Sequence, residues 1–399
     1  MFRPTRILQA VLIALSTAGC ATTTTQAPAL DSKPSKDAAS QASSKKPTIV
    51  AIKALDEPVS IQAGESRSGR TQFFKLNGEL NDDIAAYAQE VASARKIPLD
   101  LVTDILQQAQ YNETAAKLMR PTKGRIKRSW VTYKQRNVDP ARIQGGVQFW
   151  QKHRLALDQI SQTYGVPPSI IVSILGVETV YGKIMGDFKV LDALFTLGFA
   201  YPDDSRPERG QLFRDQLADL IELHYQGELD ARIVQGSFAG AMGMSQFMPG
   251  SLIRYAVDGD GDGRIDLRNN PTDAMASIAN FLRAHGWEPG LPVFAPAQLS
   301  NANKGMVDGG IYPKLSWTQL QAAGASVKGQ SQSQNTGPWQ QAQLGVVNLV
   351  DEPRNTTEYR LGTPNFFAIT HYNRSYFYAS SVADLASELA KQMGYGDPN

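Results

Sequence analysis

A single cysteine, Cys20, in 399 residues rules out an internal disulfide, and its place near the amino end removes it as a catalytic nucleophile. Charge of one sign is also lacking. Lys and Arg number 40 against 38 Asp and Glu, for a net +2, and no basic block carries interleaved aromatics, so nucleic acid is not an expected partner. The four histidines are scattered, with no pair at metal spacing on a helix, which argues against a catalytic zinc. No internal repeat stands out, and the apolar run from Ile7 to Leu15 is too short to span a bilayer as a mature anchor.

Residues 1–19 read as an export signal. Arg3 and Arg6 form a positive n-region, and Ile7 to Leu15 form a short apolar h-region. Thr17-Ala18-Gly19 then gives the small residues a signal peptidase requires, directly before Cys20. A cysteine at a new N-terminus can be acylated, so the segment resembles a bacterial lipoprotein processing site. The alternative is an ordinary secretory signal with an accidental cysteine. Residues 20–71, rich in Ala, Ser, Thr, Gln, Lys and Pro, hold too few apolar residues for a core and read as a flexible tether.

The body begins with helical patterning from Asn81 to Met119, interrupted at Ile97-Pro98, where the residue before proline leaves the helical region. Lys123 to Arg136 is basic, includes Trp130 and Tyr133, and reads as a loop on composition. A second helical tract runs from Pro140 to Tyr164 and ends at Gly165. Pro167-Pro168 restarts a helix, proline being tolerated in the first turn. Further helices are expected around Phe213, Leu217, Leu220, Ile221 and His224, at Asp273 to His285, at Ser316 to Ala323, and at Ser381 to Met393. Strand patterning covers Gln343 to Val350, Thr357 to Leu361 and Phe366 to Thr370. Residues 72–292 therefore read as a helical region and 293–399 as a smaller mixed α/β part.

Within the Pro168 helix, Ile171, Leu175 and Glu178 fall on one face, so the only ionisable group of an apolar stretch follows two aliphatic side chains. Desolvation there would raise its pKa and keep a proton available near neutrality. A structural, salt-bridged Glu at a helix end explains this stretch equally well. The run from Gly236 to Ser251 combines glycines for close backbone approach, Met and Phe as an apolar wall, and Ser237 and Gln246 as hydrogen-bonding groups. That composition suits a sugar cleft, and it suits a glycine-rich packing turn as well.

Gly176-Val177-Glu178-Thr179, Gly182, Leu191-Asp192-Ala193-Leu194, Ala239-Gly240-Ala241-Met242-Gly243 and Gln246-Phe247-Met248-Pro249 together resemble the membrane-bound lytic transglycosylase B family. The resemblance continues through Tyr255-Ala256-Val257-Asp258, Ala284-His285-Gly286-Trp287 and Asn365-Phe366 to Tyr372-Asn373-Arg374-Ser375. It implies a mainly α (α+β) fold: a lysozyme-like α-helical core with an additional helical part and a small β element that returns to the cleft. It further implies cleavage of the MurNAc–GlcNAc bond of peptidoglycan with formation of 1,6-anhydro ends, for cell-wall remodelling. Glu178 takes the place of the family's single acid and base, and Tyr133, Ser237, Gln246, Tyr372, Asn373 and Tyr378 match residues that line its glycan cleft. Asp187 and Asp192 are the nearest candidates for a second carboxylate and read as structural. Arg206 and Arg209 are candidates to meet lactyl or peptide-stem carboxylates. The competing functions are a lysozyme-like muramidase and a non-catalytic wall-binding lipoprotein.

Asp258-Gly259-Asp260-Gly261-Asp262-Gly263-Arg264 has the oxygen spacing of an EF-hand calcium loop, with the backbone carbonyl of Arg264 at position seven. Position twelve is Asn269, a poor bidentate ligand. The family's extended loop makes Asp273 the substitute, giving a loop over 258–273 and a structural Ca2+ that fixes the start of the helix after it. No organic cofactor is expected. The expected partners are glycan strands, an outer-membrane lipid anchor at Cys20 facing the periplasm, as Ala21 after the cysteine implies by resemblance, and cell-wall synthesis or division proteins. A monomer is expected.

Overall fold

Many helix starts in this chain are set by side chains that accept the first free backbone N–H groups, as at Asn81, Ser129, Thr363 and Ser375, whereas the helix that begins at Pro168 has no side-chain cap and starts on proline. The computed structural model describes residues 73–75, 77–121, 124–329, 337–396 and 398. The export signal, Cys20 and the tether lie outside these residues. Asn81 caps α1 (Asp82–Arg95) by accepting from Ile84 N, and α2 (Leu99–Gln107) and α3 (Glu113–Met119) follow. Next come α4 (Trp130–Asn137), α5 (Pro140–Lys152), α6 (Arg154–Tyr164) and α7 (Pro168–Thr179). A two-residue strand β1 (Phe188–Lys189) leads into α8 (Val190–Phe199) and α9 (Pro207–Tyr225), after which β2 (Gln235–Gly236) pairs antiparallel with β1. Then follow α10 (Pro249–Tyr255) and α11 (Pro271–Ala284). The strands β3 (Ala297–Gln298) and β4 (Ser326–Val327) pair around α12 (Asn301–Lys304) and α13 (Trp317–Ala322). The hairpin of β5 (Gly345–Asp351) and β6 (Thr356–Gly362) precedes α14 (Pro364–Tyr372) and α15 (Tyr376–Met393).

Three apolar clusters hold these elements. α1, α2, α8 and α9 bury Val91, Val102, Leu194, Phe195 and Leu217 together. A second cluster packs α7 against α5, α6, α11, α14 and α15 through Trp150, Leu157, Ile171, Leu175, Ile278, Phe366 and Leu385. Residues near the β hairpin, Trp317, Trp339, Leu344 and Leu361, form a third and smaller one. The second cluster surrounds α7, whose residues Pro168 to Gly176 are all buried.

Several expectations are corrected. Phe366 to Thr370 is helical, in α14, because Thr363 caps its start and Pro364 occupies the first turn. Every residue from Asn365 to Thr370 is buried, so alternation could not separate strand from helix there. The basic tract read as a loop becomes helical at Trp130. Ser129 caps it, and buried Trp130 donates from Nε1 to Glu358 at 2.9 Å. The tract from Pro140 to Tyr164 is two helices that meet at His153. The last helix starts at Tyr376, five residues before Ser381, with Ser375 as its cap.

Candidate active site

Glu178 occupies the last turn of α7, where the chain first reaches solvent after a fully buried run. Directly after it, Val180, Tyr181 and Gly182 have φ of 51°, 62° and 83°. Left-handed backbone is costly for a β-branched residue such as Val180, so surrounding contacts must hold the turn. Thr179 supplies two of them: Oγ1 donates to Met244 O at 3.0 Å and accepts from Gly182 N at 3.0 Å. Tyr181 supplies another, donating from Oη to Arg142 O at 2.7 Å. Its ring lies over glycines, since a Cβ at Gly146 or Gly176 would come within 2.5 or 2.6 Å of its hydroxyl. Arg142 in turn donates from Nε to Gly176 O at 3.1 Å, tying α5 to the end of α7. Sequence patterning alone does not single out Thr179, Tyr181 or Arg142. The available signal was Gly145-Gly146 inside a helical tract, where two glycines need a packing reason.

The Glu178 carboxyl faces tyrosines. Tyr378, on α15, donates from Oη to Oε1 at 2.6 Å. The ring of Tyr372 lies nearly parallel to that of Tyr378, with centroids 6.3 Å apart, and its hydroxyl donates to Ser245 O at 2.6 Å. Burial pushes the Glu178 carboxyl up to about 7, while the Tyr378 hydrogen bond pulls it the other way. The carboxyl opens partly to solvent, but the protein packed around it governs its ionisation. Tyr133, on α4, is raised to about 12, first by burial and then by the charge of Glu178. Tyr372 and Tyr378 rise well above the usual phenol range for the same two reasons, burial being the larger.

No carboxylate among the described residues contributes to the shift of Glu178. Asp192 is committed elsewhere, accepting from Gln110 N at 2.9 Å and pairing with Lys189 at 3.4 Å. Asp187 is exposed. Arg206 pairs with Glu208 on the surface.

The glycine-rich run folds as a tight double turn. Ser237 N donates to Ala241 O at 2.8 Å, and Met242 and Phe247 exchange backbone hydrogen bonds at 2.8 and 3.1 Å. Gly243 is required there: it has φ of 68°, and a Cβ would lie 2.5 Å from Leu267 O. Ser237 Oγ accepts from Ala239 N at 3.3 Å and Ala241 N at 3.0 Å, which leaves its own proton to donate. Gln246, at φ of 51°, donates from Nε2 to Gly243 O at 2.9 Å and Met185 O at 3.2 Å, so its carbonyl oxygen remains as an acceptor. Its neighbour Ser245 receives the Tyr372 hydroxyl, joining this run to α14. Asn373 ends α14, between Tyr372 and the Ser375 cap of α15. Tyr133, Tyr372 and Tyr378 thus come together around Glu178, with Gln246 and Asn373 one residue from the Tyr372 contact. Ser237 stands at the other end of the glycine-rich run, after β2.

In the acidic loop, carboxylate oxygens of Asp258, Asp260 and Asp262 lie within 4.8 Å of one another. Asp258 also accepts from Gly261 N at 2.7 Å and Gly263 N at 2.8 Å, so the loop is wound around it. An all-oxygen set of this kind suits Ca2+. Asp273 is buried and lies outside this trio. Its two oxygens accept from Gly259 N at 2.8 Å and Asp266 N at 2.7 Å, bracing the two ends of the loop. The side chain of Arg264 is exposed.

Residues 80–387 match the family model described as "Transglycosylase SLT domain". Membrane-bound lytic murein transglycosylase B of Escherichia coli (strain K12) is 38% identical over 302 residues, covering 76% of this chain and 77% of that protein. Among solved structures, soluble lytic transglycosylase SltB1 from Pseudomonas aeruginosa is 35% identical with a TM-score of 0.67, covering 78% of this chain and 99% of that one. The Escherichia coli lytic transglycosylase Slt35, solved in complex with calcium, is 35% identical with a TM-score of 0.64, covering 78% and 94% respectively.

Proposed function

The chain belongs to the transglycosylase SLT domain family and is a lytic transglycosylase of peptidoglycan, and from that premise we propose that Glu178 is its single catalytic acid and base. The observation that carries this is a lone carboxyl, ringed by tyrosines, with a pKa raised to about 7 and no partner carboxylate acting on it. Protonated Glu178 gives its proton to the glycosidic oxygen as the C1–O bond breaks. The resulting carboxylate then takes the proton of the C6 hydroxyl of the muramoyl residue, whose oxygen closes on C1. Glu178 is thereby reprotonated, and a 1,6-anhydro end forms without water. The attacking hydroxyl is intramolecular, so the second carboxylate of ordinary glycosidases is dispensable, and the acetamido group next to C1 stabilises the cationic intermediate.

Around this reaction, Tyr133 and Tyr372 give aromatic faces to the sugar and buried Tyr378 holds the acid through its hydroxyl, while Ser237 as donor, Gln246 as acceptor and the Asn373 amide read its polar substituents. Because Tyr378 engages Oε1, the transferable proton belongs on Oε2. E178Q keeps the shape of the carboxyl and removes its proton chemistry. It should retain glycan binding and lose cleavage by a factor of at least about a thousand; near-wild-type turnover would refute the assignment.

Two further readings belong to the same proposal. Asp258, Asp260, Asp262 and the Arg264 carbonyl hold a Ca2+ that is structural, with Asp273 bracing the loop into α11; the oxygen cluster and the calcium-bound relative support this. Cys20 carries a lipid that anchors the enzyme to the outer membrane facing the periplasm. The cysteine after small residues and a relative named membrane-bound support that reading. Cys20→Ser should move the protein from the membrane fraction to the soluble one, and continued membrane retention would contradict it.

A further inference from the structure

We propose that Tyr312, backed by His371, forms an additional saccharide-stacking subsite that extends the glycan cleft beyond the residues around Glu178. Tyr312 is 61% exposed, so its ring is open to the face of a sugar. Its edge meets the half-buried ring of His371 with centroids 5.1 Å apart and an interplanar angle of 62°. His371 is the residue before Tyr372 on α14, so the platform is carried by the same helix end as the tyrosine stacked beside Tyr378. Ring contacts continue inward from His371 to His285 at 4.9 Å, to Phe281 at 4.0 Å, to Tyr372 at 4.9 Å and to Tyr378 at 6.3 Å. The exposed ring is therefore joined, through rings packed in the interior, to the tyrosine that bonds Glu178.

The ring is also held in place. Two residues before it, Gly310 O accepts from the Tyr376 hydroxyl at 2.7 Å, at the start of the helix that carries Tyr378. Two residues after it, Lys314 N donates to Leu344 O at 3.0 Å. Pro313 confines Tyr312 to extended backbone. An exposed aromatic fixed on both sides binds with little ordering cost, which a loosely tethered one could not do. Burial, with His285 and Arg374 nearby, holds His371 down at about 4, so the ring behind Tyr312 is neutral at pH 7. A neutral aromatic pair suits the apolar face of a sugar, and glycan strands are the polymer that the adjoining cleft takes. The inference rests on the reading of this cleft as the glycan site.

The test is steady-state cleavage of glycan strands that have been stripped of peptide stems and sorted by length, using wild type, Y312A and Y312F. For Y312A, KM on long strands should rise about five- to tenfold, the loss of one stacking contact. Its kcat, and its kinetics on the shortest strands cleaved, should match wild type. Y312F should behave as wild type, because the ring and not the hydroxyl is used. Unchanged KM on long strands, or an equal loss on short and long strands, would overturn the proposal. E178Q in the same assay reports separately on the acid: its activity bears on Glu178 alone, whereas the length dependence of Y312A is read from wild-type chemistry.

Discussion

The Tyr378–Glu178 hydrogen bond has opposite effects on the two jobs proposed for the carboxyl. A donor to Oε1 stabilises the ionised form, which helps Glu178 act as base, while burial favours the protonated form it needs as acid. Burial is the larger of the two and sets the value at about 7. Since the first step needs the proton, kcat should fall as pH rises through about 7. Y378F removes the donor and should move that alkaline limb upward, measured from kcat against pH; a downward shift or no shift would show that the bond does not act on the acid. The same group also affects stability. Its folded pKa lies above the ordinary carboxyl value, so the stabilisation it gives is complete below about 4.5 and is lost as pH rises through 7. That loss is on the order of 3 kcal/mol, so E178Q should match wild type in thermal stability at pH 4 and exceed it at pH 8.

At the scale of elements, the loop over 258–273 is drawn together by backbone N–H donors to carboxylates, yet three acidic side chains still crowd within 4.8 Å. Such crowding is unfavourable without a cation, and a bound Ca2+ stabilises the folded form by mass action. Chelation should lower the thermal midpoint by several degrees, and Asp260→Asn should make the midpoint insensitive to calcium. Identical midpoints across calcium concentrations would count against a functioning loop. The regular spacing of Asp258, Asp260 and Asp262 made this element readable from the sequence. α14 was not readable in the same way. Its uninterrupted burial hides the helical period, and only Thr363 and Pro364 mark where it begins. α4 was missed for the opposite reason: its basic, polar surface looks like a loop, and a few tertiary contacts, chiefly those of Trp130, decide the structure.

Across the whole molecule, α7 is enclosed by helices that precede it, α5 and α6, and helices that follow it, α11, α14 and α15, and this places a residue of the last helix, Tyr378, against Glu178 across 200 residues of sequence. Motifs separated along the chain made the family and the lysozyme-like helical core legible. Within the site, a candidate role could be read only where a residue type carries its own chemistry, as a lone Glu on an apolar helix does. Arg142, Thr179 and Tyr181 hold that Glu through backbone carbonyls and glycine surfaces, which leave almost no trace in residue type. The absence of any carboxylate acting on Glu178 among the described residues is likewise a property of the folded molecule, and it is what favours an intramolecular nucleophile over water. Mass spectrometry of intact peptidoglycan digested by the wild-type enzyme tests this most directly. Intramolecular attack yields muramoyl products ending in 1,6-anhydro rings, lighter by one water than their hydrolytic counterparts, and products with reducing muramoyl ends would contradict it.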